Sequence, residues 1–187
     1  RIDELALQFR HLGKPVFLGE VGAFTNAADA RADAKGVYLH ASLWYSFTTP
    51  WAGAGLPWWW DTHIEADDLY HHLRALALFA KGEDRRGHRF RLVETTVATG
   101  VDARADVRGL LSPALGYLWI HDARRMVDPA VRERPVVHRA TPIEVDGMLG
   151  GAFTVEVWDT WSGKRLQRTR VTSHDGRVSV SVPACQN

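Results

Sequence analysis

One cysteine, Cys185, is all the thiol that this 187-residue chain carries, so no disulfide can close within it and no cysteine zinc site can be built. That count suits the cytoplasm, and equally a bacterial secreted enzyme made without disulfides. No apolar run approaches the roughly 18 residues that cross a bilayer. Charge of one sign is also missing. The net charge is +1 and no basic run stands out, which leaves no electrostatic footprint for nucleic acid. There is no Gly-x-Ser-x-Gly elbow, and Gly53-Ala54-Gly55 lacks the strand before and helix after that a phosphate-cradling loop needs. Internal repeats and low-complexity tracts are absent. The chain opens on Arg1-Ile2-Asp3 with neither Met nor a signal-peptide pattern, in the middle of an amphipathic helix. We therefore expect the C-terminal portion of a longer protein, in which case the lack of a targeting signal says nothing.

What is present is ordinary in bulk, with 45% hydrophobic and 24% charged residues. Ile2, Leu5, Ala6 and Phe9 recur at helical spacing, and Gly13 then Pro15 end the segment. Residues 15–20 read as a short buried strand. An apolar stripe through Val37, Leu39, Leu43 and Trp44 makes 36–48 a helix, followed by a Gly/Pro loop over 50–57. Trp58-Trp59-Trp60 reads as a second buried strand, and Leu69, Leu73, Leu76, Ala77 and Ala80 as the inner face of a helix over 68–81. This alternation is the rhythm of βαβ units and a parallel sheet. Two strands cannot close a barrel, so residues 1–86 are expected to be the last part of one. After Gly82 the pattern changes. Glu83–Gly87 is a charged linker, and short alternating stretches follow at 90–99, 116–121, 153–158, 165–172 and 177–182. With turn signals at Ser162-Gly163 and Asp175-Gly176, residues 87–187 are expected to form a small antiparallel β-sandwich. The expected fold class is thus α/β plus all-β.

Glu20 is the residue we single out for chemistry. It stands where the run Val16-Phe17-Leu18 ends at Gly19, and Gly22 beyond it allows close approach of backbone or ligand. In parallel α/β barrels the carboxyl ends of strands carry the catalytic groups. Asp61, His63, Glu65, Asp67, His71 and His72 invite a metal reading, but no specific ligand spacing such as His-Glu-x-x-His occurs. Asp67/His71 and Asp68/His72 are i, i+4 pairs, which a solvated helix face explains.

Residues 14–20 (Lys-Pro-Val-Phe-Leu-Gly-Glu) resemble the strand-7 motif of clan A glycoside hydrolases, the cellulase-like, family 5-type (β/α)8 barrels. Leu56-Pro57-Trp58-Trp59-Trp60-Asp61, with Asp67-Asp68-Leu69-Tyr70-His71-His72, resembles strand 8 and helix 8 of bacterial members. The segments 116–119 and 155–164 are similar to the β-sandwich that commonly follows such barrels. The resemblance implies a retaining glycosidase acting on a poly- or oligosaccharide, secreted or periplasmic, with Glu20 as nucleophile and no cofactor. Trp58 or Trp60 would form the sugar platform, Trp59 would face the helix side, and Asp61 and His63 would touch hydroxyls. Retaining hydrolysis needs two carboxyl groups about 5–5.5 Å apart. The acid/base Glu of this clan follows Asn on strand 4, and this chain has no Asn-Glu pair. The resemblance therefore implies that the missing N-terminal part of the barrel supplies the acid, leaving this portion inactive alone. The rival expectation is a non-catalytic carbohydrate-binding or interaction protein on a degenerate barrel with a β-sandwich.

Overall fold

The computed structural model describes residues 2–22, 24–98, 104–132 and 137–186. Its first half is helical: α1 (Ile2–Gln8), α2 (Ala27–Arg31), α3 (Val37–Phe47) and α4 (Tyr70–Ala80), with a π-helical turn at Trp60–Ile64 before α4. Its second half is built of strands: β1 (Arg91–Ala98), β2 (Arg104–Leu111), β3 (Gly116–His121), β4 (Val137–His138), β5 (Thr141–Asp146), β6 (Gly151–Asp159), β7 (Lys164–Ser173), β8 (Arg177–Val182) and β9 (Cys185–Gln186). Two short helices, α5 (Arg124–Val127) and α6 (Pro129–Arg132), lie between β3 and β4. All ladders are antiparallel. They form one three-stranded sheet, β1-β2-β3, and three pairs, β4-β9, β5-β8 and β6-β7.

This corrects the expected fold class. Among the described residues there is no parallel sheet and no part of a (β/α)8 barrel, and the strands of the second half fall into separate sheets of two or three. Neither 15–20 nor 58–60 is a strand. The two segments do run side by side, but they share one parallel bridge, Val21 to Pro57. The physical reason lies in coverage. Parallel sheets occur with both faces buried, whereas Phe17, Leu56, Trp58 and Trp60 are all exposed here. Beyond Trp59 the backbone winds instead, the Ile64 N–H donating to the Trp59 carbonyl at 3.2 Å and the Glu65 N–H to that of Trp60 at 2.9 Å.

The core forms where α3 and α4 pack on one face of β3. Leu39, Leu43, Trp44, Phe47, Leu69 and Leu76 meet Leu110, Tyr117 and Trp119, so side chains from both sides of residue 86 share one apolar cluster. Half-buried Phe79 packs against it, edge-on to Trp44 at 5.1 Å, Phe47 at 5.7 Å and Trp158 at 5.8 Å between ring centroids. Edge-to-face pairs of this kind add to what burial alone contributes. The expected charged linker is tied down. Arg85 donates to the carbonyls of Phe47 and Thr49 at 3.1 and 3.3 Å, which satisfies the C-terminal end of α3. Burial lowers the Arg85 pKa from its ordinary value.

Period-two alternation sends Leu118 and Ile120 of β3 to the opposite face. There they border a cavity of about 510 Å³ shared with β5, β6 and β8, which Trp44, Phe79, Tyr117 and Trp119 also line.

The join between β2 and β3 is close enough to test. A Cβ on Gly109 would overlap the Tyr117 carbonyl oxygen and come within 2.9 Å of Leu118 Cα. Because both obstacles are backbone, Gly109→Ala should cost about 1–3 kcal/mol. Thermal unfolding should show a clear fall in Tm, and an unchanged Tm would contradict the β2-β3 register.

Candidate functional site

Glu20 follows the bend at Gly19 and is exposed. Hydrogen bonds to the neighbouring segment fix its place: the Val21 N–H donates to Leu56 O at 2.7 Å, the Trp58 N–H to Val21 O at 2.9 Å and the Leu56 N–H to Leu18 O at 3.2 Å. Gly22 permits this approach, since a Cβ there would already stand 3.3 Å from Trp58 Cβ. The carboxylate-bearing segment and the tryptophan run are therefore adjacent through backbone, not through flexible side chains.

The three indoles differ in exposure, although the segment that carries them is not a strand. Trp59 is half-buried, its Nε1–H donating to Phe24 O at 3.2 Å. Trp58 and Trp60 remain 50% and 65% exposed. Asp61, in the first turn of the π-helical segment, is also exposed. His63 is not. It is only 3% exposed, and its Nε2–H donates to Asp33 O at 2.9 Å, so its ring faces the interior and not the surface that carries Glu20. Asp33 is fully buried. Its carboxylate accepts from the N–H groups of Val37 and Tyr38 at 3.0 and 2.8 Å, which caps α3. Burial raises the Asp33 pKa from its ordinary value, while those two bonds and Arg132 act to lower it. His63 thus ties the tryptophan turn to the start of α3. The crevice beside Trp58, lined also by Val21, Gly22 and Trp59, holds about 20 Å³, room for roughly one water.

A second polar cluster was not visible in the sequence. His72, expected on a solvated helix face, is fully buried, and Asp68 does not partner it. Its Nε2–H donates to Lys35 O at 2.9 Å, which leaves a lone pair on Nδ1. His40 Nδ1–H donates to that lone pair at 3.2 Å, and His40 Nε2 accepts from the Thr160 hydroxyl at 3.1 Å. One tautomer of each neutral ring satisfies the whole chain. Trp161 stacks on His40 at 4.3 Å, and His121 stacks on Trp119 at 3.9 Å. The only sequence signal was the i, i+4 recurrence of His72 and Leu76 on the apolar face of α4. Among the described residues no three His, Cys, Asp or Glu side chains converge on a possible metal position. Nor is any described helix long and apolar enough to cross a membrane.

No protein-family model matches this chain, and neither a curated protein nor a solved structure matches it.

Burial pushes the His72 and His121 pKa values down to about 4 and holds that of His40 well below the usual imidazole value. A depressed folded-state pKa means that the unfolded chain binds more protons between pH 4 and 6.5. The stabilisation is complete above about pH 6.5 and is lost as the pH falls toward 4, by about 3 kcal/mol for each of His72 and His121. Urea unfolding at pH 7.5, 5.5 and 4.5 should show this decline, with a shallower slope in His72→Gln. Constant stability across that range would contradict the neutral buried network.

Proposed function

We propose that this chain acts on carbohydrate as part of a retaining glycoside hydrolase, with Glu20 as the nucleophile and Trp58 and Trp60 as the sugar platform. One observation supports the reading: the segment bearing exposed Glu20 runs beside the segment bearing exposed Trp58 and Trp60, joined by the Val21–Leu56 and Trp58–Val21 backbone bonds. An indole offers the C–H face of a pyranose a flat apolar surface, and a carboxylate is the group that would attack the anomeric carbon. Asp61, exposed in the next turn, is the hydroxyl partner in this reading. His63 acts at one remove, by fixing the turn from below. No cofactor is needed, because two carboxyl groups suffice for the chemistry. The second, the acid that protonates the leaving oxygen, would have to stand about 5–5.5 Å from Glu20. A secreted or periplasmic setting would suit a polysaccharide substrate.

One feature favours the rival reading of a carbohydrate-binding surface without catalysis. The crevice of about 20 Å³ beside Trp58 is too small to enclose a pyranose, so a sugar would rest on the indoles instead of sinking between them. Incubation with activated 2-deoxy-2-fluoro glycosides of the gluco and manno series, followed by peptide mass spectrometry, separates the two. The hydrolase reading expects a glycosyl ester on Glu20 that is lost in Glu20→Gln. Saccharide binding with no adduct on Glu20 would overturn catalysis and leave the binding role.

A further inference from the structure

The cavity bordered by β3, β5, β6 and β8 is separate from the surface that carries Glu20. Its walls are mostly apolar, supplied in part by Leu118, Ile120, Ile143, Val155, Val157 and Val180, with Thr154 and Glu156 also among the lining residues. At about 510 Å³ it falls in the size range of small-molecule sites.

Its two ends differ. The pairings Asp146 with Arg177 and Gly151 with Ser173 bring one end of both hairpins to the tight β7–β8 connection. There Met148 lines the cavity, its N–H bonded to Gly176 O at 2.9 Å, while the Leu149 N–H is bonded to Pro113 O at 2.7 Å. The side chains lining this end, Val145, Met148 and Val178, are apolar. The pairings Thr141 with Val182 and Asp159 with Lys164 mark the opposite end, where Arg139, Thr141, Asp159 and Thr160 join the lining. The acidic groups there are already engaged. Asp159 accepts from the Trp161 N–H at 2.9 Å and the Ser162 hydroxyl at 2.5 Å, and Glu156 is held by Arg165 and Arg168. Among the described residues, the cation that lines this end is Arg139, which is exposed.

We infer that this cavity binds one long-chain fatty acid, with its hydrocarbon tail toward Met148 and its carboxylate at Arg139. The aliphatic walls match a hydrocarbon chain, and a guanidinium at the polar end matches a carboxylate, which it can engage through paired N–H donors. The inference is independent of the carbohydrate reading.

Trp44, Trp119 and Trp158 line the cavity and report on an occupant. Titration with cis-parinaric acid should give saturable one-to-one energy transfer from tryptophan, reversed by oleate. Oleyl alcohol should compete about tenfold more weakly than oleate, and Arg139→Gln should remove that difference. Val180→Phe fills the cavity and should weaken binding by at least about tenfold while raising the Tm of the ligand-free protein. The absence of saturable transfer overturns the proposal, as does wild-type affinity or a lowered Tm in Val180→Phe. Equal competition by oleate and oleyl alcohol overturns the Arg139 assignment. Competition by lysophosphatidylcholine as strong as that by oleate assigns the cavity to a phospholipid and overturns the free acid.

Discussion

The buried Asp33 junction is the constraint from which the site takes its shape. Its carboxylate caps α3 through two backbone N–H groups, and its carbonyl accepts the proton of His63. A carboxylate taken this far from water is costly unless its oxygens are bonded, and here they are. The consequence is positional. The start of the core helix and the turn carrying Trp60 and Asp61 are held by one residue, so the exposed indoles inherit the rigidity of the core. Ile64, buried in the core cluster, anchors the same turn.

A contrast in packing runs through the molecule. On one face of β3, aromatic rings of α3 and α4 interlock with Tyr117 and Trp119, and the buried histidine chain extends that contact to Thr160 at the β6–β7 turn. Beside that contact β3, β5, β6 and β8 border a cavity, which Trp44 and Trp119 also line. The first surface is dense, specific and sensitive to acid. The second is apolar and roomy. Fold and stability rest on the first, while the second offers space that side chains leave unfilled.

How much of this was legible follows from what kind of signal each element carried. The helices α3 and α4 were visible in their apolar stripes, and the β7–β8 connection in Asp175-Gly176, both of which adopt positive φ as a tight hairpin turn requires. Strand β2 escaped because Arg108 interrupts its apolar pattern, yet that arginine is buried over the Tyr45 ring and paired with Glu94. The segments around Glu20 and Trp58 misled as strands because an apolar run reports hydrophobicity and not the coverage that a parallel sheet needs. Glu20, Trp58, Trp60 and Asp61 were identifiable as surface candidates from sequence. His63 was not separable from them, because only the fold shows which way its ring points. The roles of His40, His72 and His121 depend on elements far apart in the chain, and no local spacing announces them.

The central claim is that the outward indoles of the tryptophan turn, and not the inward one, meet a saccharide. Indole N–H resonances followed by NMR during titration with cello- and manno-oligosaccharides test it directly. The account predicts progressive shifts at Trp58 and Trp60 while Trp59 and Trp44 stay in place. Shifts confined to the buried indoles, or none at saturating sugar, would contradict it.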